Sequence, residues 1–177
     1  VGLSQGSEAV FYYDVPADPT QTPWSDEHLH VIDPDTSVEG VEIVDLDGDG
    51  KNELLAGTTI YRQAGNGDEW ESETIVSGWD WTRSAVADLD GDGDLEVVFS
   101  EGDSPHLDDH PGRVGIFDPP DWEPTILRDD MFCPHSLQIA DFDGDDRPDI
   151  YVGEMGLGKN DDPEHLLFLN QGNGEFE

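Results

Sequence analysis

The same acidic phrase recurs in this chain as Asp45-Leu-Asp-Gly-Asp-Gly-Lys-Asn-Glu53, Asp88-Leu-Asp-Gly-Asp-Gly-Asp-Leu-Glu96 and Asp141-Phe-Asp-Gly-Asp-Asp-Arg-Pro-Asp149. Carboxylates stand at positions 1, 3, 5 and 9: Asp45, Asp47, Asp49 and Glu53, then Asp88, Asp90, Asp92 and Glu96, then Asp141, Asp143, Asp145 and Asp149. Like charges crowded into one tight turn repel unless a cation sits among them. Calcium takes six to eight oxygens at roughly 2.3–2.6 Å, and a turn that sends alternate side chains inward supplies them. The backbone carbonyl of position 7 (Lys51, Asp94 or Arg147) completes each expected shell. The sequence therefore predicts three Ca2+ sites.

The elements that hold these turns are not helices. A helix–loop–helix calcium loop needs Glu at position 12, where this chain has Ala56, Phe99 and Val152. Short apolar runs precede each phrase, at 41–44, 84–87 and 137–140, and follow it, at 53–57, 96–100 and 149–153. Such runs on both sides of a turn read as strand–loop–strand.

At 177 residues the chain suits one ordinary domain. Its 43 acidic residues face 7 basic ones, for a formal net charge of -36, far more than three dications offset. Because the acids alternate with apolar runs, and five Trp and seven Phe are available for a core, the chain reads as folded with a solvated acidic surface. That composition suits a halophilic source, since the screening length falls to about 3 Å in molar salt. The charge argues against nucleic-acid partners, and no apolar run is long enough for membrane insertion. The lone Cys133 excludes an internal disulfide. Weak calcium loops of this type point to an extracellular or cell-surface setting. With no signal peptide and no initiator Met, the sequence reads as a mature product or an excised piece.

Repetition specifies the fold. The phrases recur every 40–55 residues or so, and each period holds four short strand candidates; in the middle period these fall at 84–87, 96–100, 113–117 and 125–128. Trp24, Trp70, Trp122 and Phe176 stand near each expected fourth strand, suiting inter-blade packing, and Gly65-Asn66-Gly67 and Gly172-Asn173-Gly174 read as hairpin turns. The predicted class is all-β: β-propeller blades of four antiparallel strands. With these residues the chain resembles the FG-GAP and VCBS repeats found in integrin α-subunit propellers and in secreted microbial proteins. The resemblance implies a calcium loop between the innermost and second strands of each blade. The third phrase departs from it, with Asp146 where the others have Gly50 and Gly93; Asp tolerates a left-handed backbone. About three and a half blades are expected: outer strands of a partial blade in 1–38, blades in 39–78 and 79–130, and an incomplete blade in 131–177. The rest of the ring is expected from the same chain or another copy.

In such blades the loops entering the innermost strand share a face with those joining strands two and three, opposite the calcium turns. Sorting by this rule gathers Glu39, Trp79-Asp-Trp81-Thr-Arg83, and Met131-Phe-Cys-Pro-His135, with Glu101, His106, Asp108, Asp109 and His110, and then Glu154, Lys159 and Asp161. Trp79 and Trp81 beside Arg83 and His135 are candidate ligand contacts, stacking a sugar ring on indole, or alternatively packing residues at a channel mouth. His106 and His110 with Asp108 or Glu101 form either a further metal site or a solvated loop. His135 is an acid–base candidate or a structural histidine. Cys133 has no activating base beside it. The expected function is a calcium-stabilised extracellular module that recognises a protein or glycan ligand through this loop face. The alternative is a carbohydrate-active enzyme, similar to propeller-fold polysaccharide lyases and sugar dehydratases, with His135, Arg83 and Glu39 as its catalytic candidates.

Overall fold

The computed structural model describes residues 9–36, 38–65, 68–106, 109–156 and 162–177. Apart from a 3-10 turn at Asp26–His28, the regular structure is antiparallel β. Strands β1 (Val10–Tyr13) and β2 (Leu29–Asp33) pair alone. Strands β3 (Val41–Val44), β4 (Glu53–Ala56), β5 (Thr59–Gln63) and β6 (Trp70–Thr74) form a four-stranded meander. A second meander contains β7 (Thr82–Ala87), β8 (Glu96–Glu101), β9 (Gly112–Asp118) and β10 (Glu123–Met131). The last blade begins with β11 (Pro134–Ala140), β12 (Asp149–Glu154) and β13 (His165–Phe168). A small hairpin follows, of β14 (Asn170–Gly172) and β15 (Glu175–Phe176). Its tip, Asn173-Gly174, has positive φ at both residues (55° and 72°), as a type I′ hairpin turn requires. The other expected Gly-Asn-Gly turn, at 65–67, includes residues 66–67, which lie outside the described residues.

The sheets stack as propeller blades, with β7 against β3 on one side and β11 on the other. They do not close a ring. Alternation along the second strand of each blade accounts for the stacking, because successive side chains leave a strand on opposite faces. Along β4, Leu54 and Ala56 join Val10, Val38 and Tyr61 toward the first strand pair, while Leu55 joins Ile60, Val97, Phe99 and Phe117 toward the next blade. Along β8, Val97 and Phe99 face that same layer, whereas Val98 turns to Val114, Ile116, Ile150 and Val152. A strand apolar on both faces has to be covered on both, which is why β4 and β8 are buried along their whole length.

The aromatic markers serve this stacking. Trp122 packs on the core layer and donates from Nε1 to Glu73 Oε1 of the preceding blade at 3.0 Å. Trp70 lies edge-on to Tyr12 of the first strand pair, and Phe176 packs on the last layer. Trp24 instead lies edge-on to Tyr13, which belongs to its own strand pair.

The inner strands approach closely at Gly40. A Cβ added there would lie 2.7 Å from the Thr82 carbonyl oxygen and 3.0 Å from the Ser84 nitrogen. Both are backbone atoms and cannot rotate away, so the blades would have to separate. Gly40→Ala is expected to cost about 1–3 kcal/mol as overpacking, read as a fall in melting temperature of roughly 3–10 °C. An unchanged melting temperature would show that the strands can part freely.

Candidate metal centres

Each acidic phrase joins the inner strand of a blade to its second strand: β3 to β4, β7 to β8, and β11 to β12. Its glycines make the bend. Gly48 and Gly50, and Gly91 and Gly93, all have positive φ. In the third turn Gly144 is matched by Asp146 at φ 68°, the left-handed conformation anticipated for it.

Ligand atoms of positions 1, 3 and 9 converge within 4.8 Å of one another in all three turns: Asp45, Asp47 and Glu53; Asp88, Asp90 and Glu96; Asp141, Asp143 and Asp149. The position 5 carboxylates lie outside these groups. Asp49 accepts from the Lys51 backbone N–H at 2.8 Å and from Lys51 Nζ at 2.9 Å, Asp92 accepts from the Asp94 N–H at 2.9 Å, and Asp145 pairs with Arg147. In all three turns the position 5 carboxylate accepts from the N–H two residues on, the local bond that Asp makes in a tight turn.

Position 9 closes the turn. Glu53 accepts from the Leu46 N–H at 2.8 Å and Glu96 from the Leu89 N–H at 2.5 Å. Asp149 accepts from the Phe142 N–H at 2.8 Å. Two buried oxygens at the first two turns, Asp45 Oδ1 and Glu96 Oε1, have no hydrogen-bond partner among the described residues. Burial pushes the Glu96 carboxyl up to about 7, with Asp90, Asp118 and Asp88 adding repulsion. Buried anionic oxygens without partners are costly, and a hard dication is the partner these donors fit. The third turn is better satisfied internally. Asp149 Oδ1 accepts from the Asn170 N–H at 2.8 Å, and Arg147 Nε reaches the Asn170 carbonyl at 2.7 Å. The shorter Asp in place of Glu draws β14 onto the turn, and Asn170 Nδ2 ties it back to the Leu89 carbonyl at 2.7 Å.

A different constellation occupies the opposite end of the same strands. Glu39 precedes β3, Arg83 and His135 lie near the starts of β7 and β11, and Asp103 follows β8. Arg83 Nη1 donates to Glu39 Oε2 and Nη2 contacts His135 Nε2, while Nη2 lies 4.0 Å from Asp103 Oδ2. The structure thus unites the predicted Glu39, Arg83 and His135 and adds Asp103, which sequence reasoning passed over. Its carboxyl is raised by burial and by a hydrogen bond with Glu39. Asp103 was legible only as one more acid in the connection after Glu101; its selection depends on which strand end the chain turns from.

The neighbouring candidates have other employment. Trp79 is 6% exposed: it sits edge-on to Phe117, and the Arg113 guanidinium lies over its ring at 4.4 Å. Its burial favours the packing alternative for Trp79 over a sugar-stacking one. Trp81 is half-buried, at φ 53°. Glu101, fully buried, holds Arg113 through both carboxylate oxygens at 2.6 and 2.7 Å. His110 Nδ1 lies 2.9 Å from the Pro111 carbonyl and 3.8 Å from Glu101 Oε2. Among the described residues His106, His110 and Asp109 join no metal-holding group. Asp108, Lys159 and Asp161 lie outside the described residues. Glu154 accepts from the Phe132 and Glu164 N–H groups at 2.6 and 2.9 Å, a structural role. Cys133 is buried, and burial raises its thiol.

No helix among the described residues is long and apolar enough to cross a membrane. No curated protein and no solved structure is matched by the chain. The stretch from the first acidic turn into β8, residues 45–99, matches the family model of the FG-GAP-like repeat.

Proposed function

We propose that this chain is a calcium-stabilised β-propeller module of an extracellular or cell-surface protein, which recognises a protein or glycan through the loops opposite its acidic turns. The observation that carries this reading is the pair of buried, unpartnered oxygens, Asp45 Oδ1 and Glu96 Oε1, inside turns that repeat at blade spacing. Calcium would be held by the carboxylates of positions 1, 3, 5 and 9 of each turn, with the backbone carbonyl of position 7 (Lys51, Asp94 or Arg147). The ion would neutralise the turn and pin the inner strand to the second. The far ends of the same strands, where Glu39, Arg83, Asp103 and His135 lie, are then presented by a stiff scaffold. The acid excess supports a setting of high ionic strength, in which self-repulsion is screened.

Calorimetric titration of the metal-stripped protein tests the reading. Calcium is expected to bind at three sites, the third more weakly, and Asp90→Ala is expected to remove one site. Binding to a glycan and protein panel should then require calcium. Absence of calcium binding at millimolar concentration would overturn the proposal.

A further inference from the structure

We propose that Glu39, Asp103 and His135 form a separate site for a transition-metal dication of the Zn2+ or Mn2+ type, in which Arg83 is the resident cation that the metal displaces. This goes beyond the calcium reading and does not depend on it. One ligand atom from each of the three residues lies within 4.8 Å of the others. Two carboxylates and an imidazole are the wrong set for calcium, which prefers oxygen throughout, and suit first-row transition ions, which accept imidazole nitrogen.

The position of the site strengthens the assignment. Its ligands come from three successive blades, so an ion there would cross-link the starts of β3 and β11 to the end of β8, at the end opposite the acidic turns. The Glu39 and Asp103 side chains are only 11% and 10% exposed. Two carboxyl groups at such burial share one guanidinium, which offsets a single negative charge. A dication offsets both.

An independent observation also points to a missing ligand. Ser84, 9% exposed, has a hydroxyl with no hydrogen-bond partner among the described residues. It lines the same cleft of about 540 Å³ as Glu39, Arg83 and His135. The cleft gives an ion a path in, and the hydroxyl is a partner for a metal-bound water.

Cobalt(II) is the probe, because its visible absorption reports the ligand field directly. In protein kept in excess calcium, Co2+ is expected to give a saturable band at one equivalent. His135→Gln and Asp103→Asn are each expected to weaken that binding at least about tenfold. Arg83→Gln, which removes the competing cation, is expected to tighten it. Circular dichroism and an unchanged calcium stoichiometry confirm that each variant folds. No saturable band in the wild type, or a band indifferent to both ligand substitutions, would overturn the site. Weaker binding in Arg83→Gln would overturn the exchange.

Discussion

In dilute buffer, excess EDTA is expected to lower steeply the thermal transition that the calcium-loaded chain displays. An ion present at a hundredfold over its dissociation constant stabilises the folded state by about 2.7 kcal/mol. Three such ions contribute roughly 8 kcal/mol, which is comparable with the whole stability of an ordinary domain, about 5–15 kcal/mol. Stripping them also restores repulsion among the acids of each turn, in a chain already at -36. Asp118, at the end of β9, feels this field: burial and the charges of Asp90, Asp92 and Asp94 raise its carboxyl. For a chain of this size 1 kcal/mol corresponds to about 2–4 °C, so calcium is expected to raise the melting temperature by some 15–30 °C. Molar potassium chloride should restore part of the loss without calcium, because screening removes repulsion but gives the orphaned oxygens no ligand. Melts by circular dichroism with and without EDTA, at low and high salt, separate the two contributions. A transition unchanged by EDTA in dilute buffer would remove calcium from the account of stability.

The blades were legible because three independent signals coincide in the sequence. The acidic turns mark the inner hairpins, the flanking apolar runs mark their strands, and Trp70, Trp122 and Phe176 mark the outer edges. Each signal is local, so a linear reading finds it. The loop face was only half legible. Glu39, Arg83 and His135 could be sorted onto one end of the blades by strand direction alone, but Asp103 could not be chosen from the acids around it. Trp79 shows the opposite failure. An indole next to Asp80 and Trp81 looks available for a ligand, and only its edge-type contact with Phe117, the Arg113 guanidinium over its ring and its burial reveal a core residue. Sequence gives the direction in which a strand runs, whereas the choice of which loop residue turns inward is made by contacts between blades.

Acidification is expected to stabilise the metal-free protein and to destabilise the calcium-loaded one, with Glu96 responsible for much of the contrast. Burial first, and then Asp90, Asp118 and Asp88, push its carboxyl up to about 7 from an ordinary 4.5. Between those values the folded, metal-free chain keeps a proton that the unfolded chain has released. Stability is then fully present below about pH 4.5, falls through the window and is lost above about pH 7. The span corresponds to about 3 kcal/mol, at 1.36 kcal/mol per unit. Calcium inverts the slope, because the ion needs the carboxylate that the proton occupies, so its affinity rises over the same range. Asp103, raised by burial and by its bond to Glu39, tilts the metal-free curve in the same direction. Asp141 is held low by the N–H groups of Gly144 and Asp146, so its stabilising effect is lost only at more acidic pH and leaves this window untouched. Glu96→Gln isolates the effect: the amide cannot ionise, so the metal-free slope should flatten while the second calcium site is lost. Urea midpoints at about pH 5 and pH 8, in molar salt with and without EDTA, measure both slopes. Metal-free stability that rises with pH, or a slope unaltered in Glu96→Gln, would mean that this carboxylate has found a partner other than a metal ion. The two slopes would then have to be explained by the chain's overall charge, which calcium cannot invert.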